Sequence, residues 1–136
     1  MDASNSGRVI VVNAVIIRGG ELLIVKKRGA WILPGGKIKE GEYDFGCLRR
    51  EVAEELSGTR INPCCLYDFF YGCSPHRRSS LQARVYFAEL AGFLGPATRG
   101  DSVSESSWLD RRNEGCYALS GVSRRIVCSL ITDEYL

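Results

Sequence analysis

The chain is 136 residues long, 45% apolar and 25% charged, which suits one globular domain with a single core and excludes a disordered chain. A formal charge of +2 and an isoelectric point near 8.2 are too slight for a polyanion binder, so nothing points to nucleic acid as a partner. The six cysteines form no Cys-x-x-Cys pair and His76 is the only histidine, so a cysteine-built zinc centre is not expected; with no export signal, free thiols and a cytoplasmic protein are expected.

Met1 to Gly7 is small and polar and reads as a loose tail of a single domain covering residues 1–136. Val9 to Ile17 is interrupted by Asn13 and falls well short of the roughly 18 apolar residues of a membrane span, so it is expected to be a buried strand and not a membrane segment. Arg18-Gly19-Gly20-Glu21 offers the positive backbone angles of a tight hairpin, which predicts antiparallel pairing of that strand with Leu22 to Lys26. Trp31-Ile32-Leu33 predicts a short strand ended by Pro34-Gly35-Gly36, followed by an irregular loop from Gly36 to Tyr43.

Asp44 is placed to cap a helix that runs to about Leu56 and is stopped by Ser57-Gly58. Within it Phe45, Leu48, Val52 and Leu56 recur at three- and four-residue steps and give one apolar stripe. Leu66 to Tyr71 and Leu81 to Leu90 predict two long strands joined by a polar loop that contains Pro75 and His76-Arg77-Arg78. Gly92 to Ser107 reads as a surface loop before a short strand at Trp108-Leu109, and Ser120 to Thr132 as a second amphipathic helix. Strands, helix, strands and helix in that order predict an α/β fold with a mixed sheet and helices on its faces.

Glu51, Glu54 and Glu55 stand at i, i+3 and i+4, so three carboxylates share one helix face. Like charges at those spacings repel by a few tenths of a kcal/mol per pair, so the helix gains nothing from them unless a cation arrives. Hard divalent ions take oxygen ligands, and one or two carboxylates with waters and substrate phosphates are their usual shell. Arg50 precedes Glu54 by one turn and can orient it, while Gly35, Gly36 and Gly41 let the preceding loop bring main-chain carbonyls and Glu42 toward the same patch.

Gly36, five residues, Glu42, seven residues, Arg50-Glu51, apolar Val52, Ala53 and Glu54-Glu55 resemble the Nudix box, and Trp31-Ile32-Leu33-Pro34-Gly35 resembles its usual lead-in. One departure stands at the end of the box, where Ser57 occupies the position of the family's glycine and Gly58 follows. The resemblance implies a Nudix-type α/β/α sandwich with a mixed β-sheet and a loop-helix-loop catalytic motif. It also implies hydrolysis of a diphosphate bond in a nucleotide-type small molecule, with Mg²⁺ or Mn²⁺ held by Glu51, Glu54, Glu55 and the Gly36 carbonyl. The general base is then Glu54 or Glu105, the latter placed on a loop before Trp108, with Arg50 in support.

Arg28, within Lys26-Lys27-Arg28, is a candidate phosphate contact, Trp31 a candidate stacking face, and Gly35 a point of close backbone approach to substrate. ADP-ribose, nucleoside triphosphates and dinucleoside polyphosphates all remain open as substrates, and a homodimer is compatible with the chain. The alternatives are a Nudix-like module that binds nucleotide or protein without turnover, a diphosphate isomerase, for which the chain is short, and an RNA decapping enzyme, which calls for a broad basic surface.

Overall fold

The computed structural model describes residues 8–73, 79–92 and 103–136; the expectations for the tail, for Pro75, for His76-Arg77-Arg78 and for residues 93–102 of the Gly92 to Ser107 loop lie outside the described residues. Among these residues the elements are β1 (Arg8–Val15), β2 (Ile17–Arg18), β3 (Glu21–Lys27), β4 (Ala30–Ile32), β5 (Gly35–Lys37), α1 (Asp44–Glu55), β6 (Ile61–Cys73), β7 (Ser80–Leu90), β8 (Val103–Leu109) and α2 (Gly121–Thr132). One sheet has the order β5-β1-β7-β6, with β1 and β7 parallel and the other pairs antiparallel, so it is mixed. In the other, β3 pairs antiparallel with β2, β4 and β8.

Strand alternation explains why the two helices lie on opposite faces. Val12 and Ala14 of β1, with Leu23 and Val25 of β3, pack against Cys47, Leu48, Val52 and Leu56 of α1. Their neighbours Val15, Leu22 and Ile24 pack with Ile126, Val127 and Leu130 of α2. The expected single core is therefore two, one on each side of the strands, which makes an α/β/α sandwich. Leu48, Val52 and Leu56 have no exposed surface, and burying side chains of this size stabilises by about 1.5–3 kcal/mol each, so the predicted stripe does hold α1 to the sheet.

Five local expectations are corrected. The apolar run is not one strand paired in a hairpin: β1 ends at Val15 in the mixed sheet, and only Ile17–Arg18 turns through Gly19 (φ 60°) and Gly20 (φ 77°) to pair with β3. The Pro34-Gly35-Gly36 bend does not open a loop at Gly36, because Gly35–Lys37 forms β5 against β1. Asp44 is not the cap: Tyr43 holds that position without a side-chain bond, while Asp44 accepts hydrogen bonds from Arg84 (2.9 Å) and the Tyr86 hydroxyl. β6 begins at Ile61, well before Leu66, and bulges where its register with β7 shifts. Val103–Leu109 is a strand and not loop, since the free edge of β3 overrides the weak strand propensity of its serines.

The departure at the end of the box is resolved locally. α1 closes on Leu56, whose amide donates to Val52 at 2.8 Å, and the left-handed residue that follows is Gly58 (φ 78°). Ser57 therefore needs no positive φ.

Gly35 is the tightest backbone position. Its φ is 137°, and a Cβ there would lie 2.0 Å from the Val12 carbonyl and 2.8 Å from the Asn13 Cα. Neither is a flexible side-chain end that can swing away, so Gly35→Ala is expected to cost more than about 3 kcal/mol of stability, measured by urea denaturation against wild type.

Candidate active site

The box carboxylates meet at the junction of α1 with β5. Glu55 has no exposed surface; its Oε1 accepts the Gly35 amide at 3.0 Å and its Oε2 the Lys27 ammonium at 3.3 Å. Glu51 is 8% exposed, and its Oε2 sits 2.0 Å from the point a Gly36 Cβ would occupy. A side chain at Gly36 would displace that carboxylate. The Gly36 carbonyl accepts the buried Cys47 thiol at 3.7 Å, so it faces α1.

Arg50 is the hub of the outer part of the site. It forms a two-pronged pair with Glu42 (Nε to Oε2 2.6 Å, Nη2 to Oε1 2.9 Å) and donates from Nη1 to Glu51 at 2.9 Å and Glu54 at 3.3 Å. Nη2 also reaches the Lys37 carbonyl at 3.3 Å, which ties α1 to the end of β5. One guanidinium so offsets the repulsion of three carboxylates, and the predicted Arg50–Glu54 pair is only one arm of it.

The two ends of the cluster are opposite in electrostatic character. The Arg50 hydrogen bonds, with the Lys39 amide, hold Glu42 down at about 2, and the same contact raises the affinity of Arg50 for its proton. Burial pushes Glu55 up to about 7 against the Gly35 amide and Lys27, and burial also raises Glu51 against its bond from Arg50. Two desolvated carboxylates are therefore short of positive charge. Hard oxygen donors with that deficit beside a glycine carbonyl suit a divalent cation. Among the described residues no three His, Cys, Asp or Glu side chains are already gathered around a metal position, because their oxygens are turned to Arg50 and Lys27.

The other predicted residues are distributed unevenly. Arg28 is exposed at the β3–β4 turn with φ 52°, followed by Gly29 at φ 83°. Trp31 is half-buried, with the edge of its ring against Tyr117 at 5.0 Å, and its amide donates to Ala118. Gly35 lines a cleft of about 180 Å³ together with Gly36, Lys27, Asn13 and Ser123. Glu105 is not on a loop: it lies in β8 opposite Lys26, to which it pairs at 3.5 Å. Adjacent strand residues face opposite ways, so Lys26 with Glu105 and Lys27 with Glu55 leave β3 on different faces.

Three residues of the site escaped the sequence reading. Lys27 was one of a basic trio, and strand alternation could have separated it from its neighbours. Asn13 is the lone polar residue of an apolar run, which was a signal for a buried polar role. Ser123 gave none. Two larger clefts, of about 510 and 420 Å³, lie away from the carboxylates; the second shares Leu81, Ser120 and Val122 with the cleft at Gly35 and so continues it.

Comparison with known proteins gives the family and the fold. The NUDIX domain family model matches residues 7–117. A curated Mycobacterium tuberculosis protein named "Putative 8-oxo-dGTP diphosphatase 2" is 43% identical over 53 residues, a match that spans 35% of this chain and 38% of that protein. The solution structure of the E. coli ORF135 protein superposes with a TM-score of 0.75 at 17% identity, covering 98% of each chain. A NUDIX hydrolase from Nitrosomonas europaea superposes with a TM-score of 0.78 at 17% identity, over 93% of this chain and 90% of that one. Among the described residues no helix is long and apolar enough to cross a membrane.

The raised Glu55 sets a stability profile. An acid whose pKa of about 7 in the folded chain exceeds its ordinary value of 4.5 binds more protons folded than unfolded between those values, so stability falls as pH rises through that window. In chelator the unfolding free energy is expected to drop by on the order of 3 kcal/mol between pH 4.5 and 8 from this group. Added Mg²⁺ at pH 8 is expected to restore it. Thermal melts across pH, with and without the metal, check both.

Proposed function

This chain belongs to the NUDIX family, and from that premise we propose that it hydrolyses a diphosphate bond in a nucleoside diphosphate derivative with the help of a divalent metal ion. The observation that carries the reading is the convergence of buried Glu55, nearly buried Glu51 and the Gly36 backbone at one junction, where space is reserved for the Glu51 carboxylate. A module that only binds nucleotide has no use for two desolvated carboxylates that destabilise it at neutral pH.

In this reading Glu51, Glu54, Glu55 and the Gly36 carbonyl hold Mg²⁺ or Mn²⁺. When bound, such an ion neutralises phosphate oxygens and raises the acidity of a coordinated water. The chain's own residues do the rest. Glu54, 40% exposed on its side chain and on the same helix face, is the better-supported general base, and Arg50 fixes its direction. Glu105 faces away with Lys26 and is the less-supported choice. Gly35 orients Glu55 through its amide, and Arg28 and Trp31 lie at the β3–β4 turn where an extended substrate can meet a cation and an aromatic edge.

The relative named for 8-oxo-dGTP makes a nucleoside triphosphate the first substrate to try, ahead of ADP-ribose and dinucleoside polyphosphates. Release of phosphate or nucleoside monophosphate from a panel of these, with Mg²⁺ and with chelator, tests the reading. Turnover is expected only with metal, and silence over the whole panel would favour the binding module.

Two variants assign the base. Glu54→Gln is expected to lower kcat by at least about a hundredfold, and Glu105→Gln to leave it within about threefold. The reverse pattern would move the base to β8.

A further inference from the structure

The cleft of about 510 Å³ is built on the other side of α1 from the Glu51 carboxylate. α1 contributes Arg49 and Ala53 to it, four residues apart and so on one helix face. At about 100° per residue Arg49 stands about 160° around the helix from Glu51, so a molecule in this cleft shares no face of α1 with that carboxylate. The facing wall is the segment that follows the helix. The Thr59 amide donates to the Leu56 carbonyl at 3.0 Å and the Ala91 amide to the Arg60 carbonyl at 2.6 Å, so Arg60, Ile61 and Asn62 are held from both sides.

Charge and size say what the cleft takes. Arg49 and Arg60 are both exposed, and neither side chain makes an ion pair or a hydrogen bond among the described residues. Arg50, one residue on, is by contrast spent on Glu42, Glu51 and Glu54. No carboxylate lines the cleft, and Glu89, opposite Asn62 in the register of β6 with β7, is paired with neither arginine. Two open guanidinium groups at one cleft match the oxygens of a phosphate. Ala53, Ala91 and buried Ile61 add an apolar floor, and the volume falls within the range of about 300–1,000 Å³ that small organic ligands occupy, more than a bare phosphate fills.

We infer that this cleft is a second ligand site, for a small organic phosphate monoester. Its phosphate meets Arg49 and Arg60, its carbon body covers the apolar floor, and the Asn62 amide bonds its hydroxyls. Two sources share that chemistry, a sugar phosphate and a nucleoside monophosphate. Bound there, the ester links α1 to the start of β6 across the Ser57-Gly58 turn, on the helix that carries Glu51, Glu54 and Glu55 but on another of its faces. The cleft is thus an effector site and not a substrate site, and it goes beyond the hydrolysis reading without resting on it.

The test is titration of ribose 5-phosphate, AMP, inorganic phosphate and ribose into the whole protein in chelator, followed by backbone amide shifts in NMR spectra. Amides of residues 59–62 and of Ala91 are expected to move on the wild-type protein, a readout that does not depend on a variant folding. With affinity read from those amides, at least one ester is expected to bind at least about tenfold tighter than inorganic phosphate, with ribose undetected, and the tighter ester identifies the source. Arg49→Ala and Arg60→Ala are each expected to weaken it by at least about tenfold. Both positions are exposed, so the unliganded variants are expected to melt within about 2 °C of wild type. Shifts confined to Gly35, Gly36 and their surroundings, no shift with either ester, inorganic phosphate bound as tightly as the esters, or an affinity that either substitution leaves unmoved overturns the inference. Metal-dependent turnover of the nucleotide panel without shifts at residues 59–62 refutes the second site alone, and shifts there without turnover refute hydrolysis alone.

Discussion

A carboxylate removed from water must find its hydrogen bonds inside the protein, and Glu55 finds one at the Gly35 amide, 3.0 Å away. That contact fixes the C-terminal end of α1 to β5. It requires backbone at close range, and the same Gly35 is pressed so near Val12 that no side chain can stand there. Through Val12 and its neighbours the constraint passes to β1, whose alternate residues carry the cores under α1 and α2. The position of the site and the packing of both helices are thus parts of one chain of contacts.

Arg50 solves the problem that the box creates for itself. Three glutamates on one helix face would loosen α1, and the guanidinium engages Glu51 and Glu54 while its other edge pairs with Glu42 from the preceding loop. The planar fork matters here, since a single ammonium could not bond in so many fixed directions. Glu42 is held ionised by this contact, whereas Glu51 and Glu55 are pushed toward protonation by burial. The cluster is neutralised at its outer end and left demanding charge at its inner end, which is where the glycine carbonyl lies.

Residue spacing made much of this legible. The α1 stripe, the hairpin glycines, the strands at Leu66 to Tyr71 and Leu81 to Leu90, and the second helix all announce themselves through short-range pattern. The box was legible because its residues sit at fixed offsets on one helix and loop. What escaped depends on partners distant in sequence. β5 is built of glycines that no propensity favours as a strand, and it exists because β1 offers an edge that only a residue without Cβ can approach. β8 is serine-rich and is ordered by β3, and in moving from loop to strand it carries Glu105 away from Glu55. Asp44 looked like a cap because its type suits one, but Arg84 and Tyr86 compete for its carboxylate. Asn13 and Ser123 could not be paired from sequence, being far apart in the chain and lining one cleft only once it is folded.

The two sides of the sandwich differ in the chemistry they present at the junction of α1 with β5. On the α1 side the carboxylates repel a bare phosphate, so an anionic group can approach only as the partner of a cation. On the α2 side the cleft is walled by aliphatic Val11, Ile32, Leu81 and Val122, with Asn13, Ser120 and Ser123 among them. Lys27 stands at the boundary, bonded to Glu55 and also lining the cleft. It is the one lysine that bears on both regions among those described at this site. Which region a side chain faces accordingly follows from which face of its strand it occupies, the same alternation that built the two cores.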